Sequence, residues 1–515
     1  MNAQPKRPTL RPITEQPIGF DLFRLPGLRR LLRWKYARVT LQLPLLILAV
    51  FVIVDGFTGR QLAPRNVATT SVWLHYRGLV VIALALFGNA FCAACPLMLT
   101  RGMSRWLEKH LPQKYAWPKA LKNKYLIVAL LGFYFFSYEY FDLWASPWLT
   151  AWLAVGYFAG ALAVDTFFPS GTFCRYVCLL GNFNFAFASA SPTQITALDH
   201  HVCRSCTHKP CLHGRYSSTH KPESLPLRTN GSKEVAFIPT SEIVRPGGTG
   251  YFPGCETDLF VPAIQSNMDC TLCFNCLRAC PYDNVALTLR TPGWEWMKSP
   301  WLKRGRLAVM IMGVLLTFWG ILNAAAMIGP FFGIAQRIAA GLHTESEALV
   351  LGLIFVAVAG IGLGITLAAA SLADFIGGAQ VRPWRAFQRW GYVVIALGFG
   401  FWGAHFLFHF LTGAVSVVPV FQHFFELRGL GVDPNWQLAR LVPTRWLFPI
   451  TAGITAVYGL LAFTLSVRIA LRDFGQRGVV AMWPMLLFVL AFLVFALLIL
   501  AQPMEMRGTI LGPSF

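Results

Sequence analysis

Apolar residues run along this chain in long unbroken blocks separated by short polar or basic stretches. Blocks long enough to cross a bilayer as helices lie at about Thr40–Phe57, Trp73–Phe91, Tyr125–Leu143 and Pro147–Phe167. After a long gap others follow at about Leu307–Ile328, Ala348–Phe375, Trp390–Leu411, Trp446–Ile469 and Val479–Leu500. The pattern predicts an all-α polytopic membrane protein with about nine transmembrane helices. A shorter apolar stretch, Val415–Phe425, suits a re-entrant or interfacial segment. Between residues 169 and 304 no spanning block occurs, and Gly, Pro, Thr and Cys become frequent, so an extramembrane domain is expected there.

Composition adds orientation. The 515 residues are 55% hydrophobic with mean hydropathy +0.52 and only 13% charged, which excludes a disordered chain and an ordinary soluble enzyme. Lys and Arg outnumber Asp and Glu by 44 to 23, a net charge of +21. The excess is placed as the positive-inside rule places it. It fills the N-terminal arm (Arg7, Arg11, Arg24, Arg29, Arg30, Arg33, Arg38) and the loop with Arg101, Arg105, Lys109, Lys114, Lys119, Lys122 and Lys124. It returns at Arg382, Arg385 and Arg389, and again at Arg468, Arg472 and Arg477. The rule puts the N-terminus and the inserted domain in the cytoplasm of a bacterial inner-membrane protein, and nine spans put the C-terminus in the periplasm. Four parts follow: a basic arm (1–38), four helices (39–168), the inserted domain (169–304) and five helices (305–515). The arm is too long for the n-region of a signal peptide and is expected to be retained. Trp73, Trp144, Trp148, Trp390, Trp446 and Trp483 lie at expected span ends, as in an interfacial belt facing membrane lipid. No Walker A loop, dinucleotide fingerprint, nucleophile elbow or His-Glu-x-x-His occurs, and the basic stretches lack the interleaved aromatics of a nucleic-acid surface.

The twelve cysteines carry the chemistry. Cys270-Thr-Leu-Cys273-Phe-Asn-Cys276-Leu-Arg-Ala-Cys280-Pro281 is the bacterial ferredoxin run, in which three close thiolates grip one cubane cluster and the fourth ligates another. Zinc would ask for paired Cys-x2-Cys knuckles, not this three-plus-one spacing. Two 4Fe-4S clusters need eight thiolates, and Cys203, Cys206, Cys211 and Cys255 supply the other four. Sharing in the bacterial manner gives one cluster to Cys203, Cys206, Cys211 and Cys280. The other goes to Cys270, Cys273, Cys276 and Cys255. The inserted domain is therefore expected to be a ferredoxin-like α+β unit. Its histidines His200, His201, His208 and His213 read as solvated loop residues. Two more pairs, Cys92/Cys95 and Cys174/Cys178, fall at the ends of the second and fourth spans, at helical spacings that put each pair on one face. Both ends lie on the cytoplasmic side, so the four can face each other and hold a third cluster or another metal.

On these motifs residues 36–302 resemble the NapH, NosR and CcoG type of membrane polyferredoxin, whose helices end in paired cysteines, usually Cys-x3-Cys-Pro, before a cytoplasmic two-cluster domain. The resemblance implies electron transfer between the quinone pool and a partner redox protein, or service to the assembly of a metalloenzyme. Here Cys92 and Cys95 are one residue closer than that spacing, Cys178 precedes Leu179 and not Pro, and no flavin-bearing N-terminal domain is present. The last five spans lie outside the resemblance. They carry His405 and His409, four apart on one helix face, a pair suited to a quinone or a metal ion; b-type haem stays open, whereas the absence of Cys-x-x-Cys-His excludes covalent c-type haem. His75, His343, His423, Met504 and Met506 are further outer-side candidates. The expected function is inner-membrane electron transfer, with quinol dehydrogenase or quinone reductase activity as its enzymatic form. The alternatives are an accessory factor supplying electrons or metal to a maturing respiratory enzyme, and an anchor subunit with structural clusters.

Overall fold

The computed structural model describes residues 19–108, 110, 115–216, 251–299, 302, 306–431 and 433–504; Arg7, Arg11, Lys109, Lys114 and Met506 lie outside them. Among the described residues, eight helices are long and apolar enough to cross a membrane. They are α1 (Ala37–Thr58), α2 (Val67–Phe87), α4 (Pro147–Phe167), α5 (Leu307–Ala325), α6 (Glu347–Ile376), α7 (Pro383–Gly413), α8 (Leu447–Phe474) and α9 (Trp483–Ala501). The expected ninth, α3 (Tyr125–Tyr140), has 16 residues. At 1.5 Å per residue it reaches about 24 Å, short of a hydrocarbon core of about 30 Å. It stops early because Asp142 takes a left-handed conformation (φ 45°) that turns the chain into α4. Val417–Glu426 is a short helix that packs through Val420 and Phe424 on Val67 and Phe51, at the same end of the bundle as the start of α2.

Local sequence sets several of these ends. Ser146 and Ser346 accept hydrogen bonds from the Leu149 and Leu349 amides and cap α4 and α6, and Pro147 and Pro383 occupy the first turns of α4 and α7. Burial then sorts the helices. The spanning window of α5 is 89% buried, whereas that of α1 is 17% buried and that of α4 22%. A helix apolar on every side but only partly covered by protein presents the remainder to lipid. At the centre, α7 packs on α8, α5, α6 and α2. The α5–α7 contact is close: a Cβ on Gly398 would stand 2.1 Å from Thr317 Oγ1, and that hydroxyl donates to the Val394 carbonyl at 3.1 Å.

The cysteine-bearing segment closes the end of the bundle where α1, α3, α5 and α7 begin. It contains a small antiparallel sheet of β1 (Phe20–Asp21), β2 (Thr193–Ala197) and β3 (Val285–Leu289), in the order β1-β3-β2, with Ile195 opposite Leu287 and Phe20 opposite Leu289. The basic arm is thus no separate part over its described length. Asp21 accepts from the Leu287 amide at 3.2 Å, and Phe23 joins a second core with Ile195, Leu277 and Val285. The fully buried Glu295 accepts from the Asn267 amide at 2.8 Å and from Arg290 at 3.3 Å, and Trp296 Nε1 donates to Ser189 at 2.8 Å. These bonds fix the cysteine loops against the strand β2 and the turn before it.

Candidate functional site

The eight cysteines of the inserted segment fall into two groups. Cys203 lies on the short helix His200–Ser205, capped by Asp199, whose carboxylate accepts from the His201 amide at 2.6 Å; Cys206 follows directly. Cys211 lies on Pro210–His213, and Cys280 ends the helix Asn275–Ala279. The four cysteines line one small, partly open pocket together with Val202, Phe260, Tyr282 and Asn284 among others. Asn284 serves the group twice: its side-chain amide donates to Cys203 Sγ at 3.2 Å and its backbone amide to Cys280 Sγ at 3.4 Å. Burial pushes the Cys203 thiol up to about 12, with Cys280, Cys211 and Cys206 adding to the shift.

Cys270, Cys273, Cys276 and Cys255 form the second group. Asp269, Leu272 and Phe274 all have positive φ (68°, 49° and 57°), which curls the run back on itself so that its three sulfurs turn inward. Burial pushes Cys270 up to about 12, and Cys255 and Cys273 act on it among the neighbours. Leu259 donates its amide to Cys255 Sγ at 3.2 Å. The two groups are tied together, since the Cys255 amide donates to the Cys211 carbonyl at 2.9 Å and the Cys280 amide to the Cys276 carbonyl at 3.0 Å.

The span-end cysteines also gather, though not by the expected route. Gly88 (φ 72°) ends α2, Cys92 sits on the four-residue helix Ala90–Ala93, and Cys95 is extended ahead of Pro96, as the residue before a proline prefers. Cys174 lies in a wide turn, Phe173–Val177, and Cys178 caps the helix Leu179–Phe187, accepting from the Gly181 amide at 3.2 Å. Neither pair therefore shares one regular helix face. Cys95, Cys174 and Cys178 pack in one apolar cluster with Leu97, Met98 and Phe173. Burial raises Cys92, with Cys95 and Cys178 adding to the rise; it takes Cys95 to about 11 and Cys178 to about 12.

Direct bonds join this group to the second. Asn89 donates to the Cys270 carbonyl at 2.6 Å, and Lys124 pairs with Asp269 at 2.5 Å while also donating to Asn182 at 2.7 Å. Glu256, next to Cys255, pairs with Arg38 of α1 and with Arg101 at 2.6 Å. Arg101 also pairs with Asp165 at 3.0 Å. Burial alone would raise the Glu256 carboxyl, but the Arg101 and Arg38 charges overcome it and hold the group at about 2.

Among the described residues, no three His, Cys, Asp or Glu side chains converge closely enough to hold a single metal ion. The His405 and His409 pair likewise has no third such side chain beside it among the described residues. The other outer-side candidates do not meet. His75 bonds the Thr70 and Ala414 carbonyls, His423 pairs with Glu426 at 2.8 Å, His343 is exposed, and Met504 packs on the main core. His201, His208 and His213 are exposed, as loop histidines should be.

Comparison with family models, with curated proteins and with solved structures gives no match to this chain. The function therefore has to be argued from the residues themselves. Sequence patterns left out four that matter: Asn284, Glu256, Arg77 and Asn184. Arg77 had a visible signal, as the single charged residue in the apolar run of α2.

Proposed function

We propose that this protein is an inner-membrane electron carrier of the polyferredoxin type. Two 4Fe-4S clusters and the four span-end cysteines pass electrons between the quinone pool and a partner redox protein. Cys203, Cys206, Cys211 and Cys280 hold one cluster, Cys270, Cys273, Cys276 and Cys255 the second, and Cys92, Cys95, Cys174 and Cys178 a third centre at the membrane boundary. The observation that carries the reading is the pocket lined by Cys203, Cys206, Cys211 and Cys280, in which the fold brings Cys280 to three cysteines far upstream of it in the chain. Four thiolates in so buried a place would need a bound cation to balance their charge, which iron of a cluster would supply. The amide donors Asn284 and Leu259 stabilise sulfur that gains electron density on reduction. The order of the groups supports a relay, because the second one is hydrogen-bonded to the first and to Asn89, three residues before Cys92. Cluster chemistry moves electrons with little rearrangement, so what it demands of the chain is fixed spacing, and the buried ion pairs at Glu256 and Asp269 supply that.

The test is anaerobic purification with iron and acid-labile sulfide counting, followed by quinol addition under electron paramagnetic resonance. More than eight irons per chain is expected, with reduction of all centres by quinol. In Cys92→Ser/Cys174→Ser the count should fall to about eight and quinol should no longer reduce the remaining clusters. Full reduction in that variant would remove the third centre from the path, and an iron-free chain would end the proposal.

A further inference from the structure

Inside the membrane-spanning bundle lies a polar site that the cysteine relay does not use. His405 on α7 is 0% exposed, and neither ring nitrogen has a hydrogen-bond partner. A neutral imidazole carries one donor and one acceptor, and leaving both unpaired in an apolar interior is costly. His409 stands one turn on, its ring 4.9 Å from that of His405, on a stretch of α7 that is only partly covered by protein. Arg77 of α2 lies nearby. Its guanidinium sits over Tyr138 at 4.6 Å, Trp73 at 4.9 Å and Phe406 at 5.1 Å, and donates to the Tyr138 hydroxyl at 3.1 Å. No carboxylate among the described residues lies within ion-pair distance of it. Trp319 Nε1 and Asn323 Oδ1 of α5 are likewise buried without partners.

Unpaired donors and acceptors on adjoining helices specify a ligand. It must be soluble in the bilayer, neutral and flat enough to lie among aromatic rings, with oxygens that accept from Arg77 or imidazole N–H and, in the reduced form, donate to the free imidazole nitrogen. The site also faces the relay. Tyr76, the neighbour of Arg77, has its hydroxyl against Asn184, and Asn184 donates to Cys92 Sγ at 3.7 Å. We infer that His405, His409 and Arg77 form the binding site for a quinone head group entering from the lipid between α2 and α7. This rests on the reading of the chain as a quinone-linked electron carrier and names where that exchange occurs.

The experiment uses the full chain in lipid nanodiscs, with a decyl-tailed benzoquinone as the probe and equilibrium dialysis as the measure. About one saturable site per chain is expected, weakened about tenfold or more in His405→Leu and in Arg77→Gln. His405→Leu removes an unpaired polar ring from an apolar interior, so it should fold at least as well as the parent, and its iron content should be unchanged. A second readout is the semiquinone signal, which should carry an imidazole nitrogen coupling that disappears in His405→Leu. Wild-type affinity in both variants, haem absorption in the purified protein, or no saturable quinone at all would each overturn the site. The two claims fail separately. Quinone bound here without reduction of any cluster would sink the electron-transfer reading alone, whereas wild-type quinol reduction in both variants would sink this site alone.

Discussion

Glu256 stands immediately after Cys255, where a ferredoxin run would ordinarily have proline, and joins three parts of the chain at one carboxylate. Arg38 reaches it from α1 and Arg101 from the helix Thr100–Glu108 after Cys95, so a single acid holds the cysteine loop to the membrane boundary. Breaking a buried ion pair from one side strands the partner charge, at a cost of about 3–5 kcal/mol. Glu256→Gln should therefore lower the thermal midpoint and release iron first from the Cys255 group, measured by calorimetry and iron counting. Gly171→Ala tests the same contact without touching charge. Gly171 has φ +89°, and a Cβ there would stand 1.6 Å from the Glu256 carbonyl oxygen. A midpoint unchanged in both variants would show that the latch carries no stability. The Cys-x2-Cys-x2-Cys-x3-Cys spacing is readable in sequence because the proposed cluster would dictate it locally. Glu256 is not, because its meaning comes from Arg38 and Arg101, more than 150 residues away.

At the scale of elements, the long spans were legible because hydrocarbon imposes one rule on every helix it surrounds: about 20 apolar residues in a row. α3 is shorter than its apolar run suggests because that run continues past Asp142, where the backbone turns. The cysteine pairs misled for a related reason, since i, i+3 and i, i+4 spacing has its helical meaning only inside a continuous helix. Gly88 and Pro96 interrupt one, and a wide turn replaces the other. Nor could periodicity show which helix is central, because α5 and α6 are both apolar throughout; close contacts decide it. Gly398→Val should force α5 from α7 at Thr317 and destabilise the bundle by about 1–3 kcal/mol, as overpacking does. Gly364→Val on α6, where nothing lies within 4 Å of a Cβ, is the control expected to leave detergent thermal stability unchanged. Equal loss in both would mean that valine in a spanning helix, not the α5–α7 contact, is responsible.

For the whole molecule, the combination of +21 net charge with 55% hydrophobic residues is a statement about its two ends. The cysteine-bearing end gathers Arg101, Lys119, Lys122, Lys124, Arg306, Arg382, Arg385, Arg389, Arg468, Arg472 and Arg477. The opposite end has Arg60, Arg65, Arg337, Arg428, Arg440 and Arg445. Several bases at the first end are also structural: Arg389 pairs with Asp374 at 2.7 Å and with Asp473 at 3.1 Å, and Lys124 with Asp269. Others there, such as Lys119 and Arg382, are exposed and free to act through the positive-inside rule. Alkaline phosphatase fused after His343, between α5 and α6, is therefore expected to be active in the periplasm. The same reporter fused after Gly378, between α6 and α7, is expected to be inactive, and a fluorescent protein fused there should fold and glow. The reverse pattern would put the thiolate sites in an oxidising compartment, where twelve cysteines in close groups would form disulfides in place of cluster bonds. The reverse pattern would thus overturn orientation and cofactor chemistry together, whereas the expected one settles orientation and leaves the cofactor to the iron count.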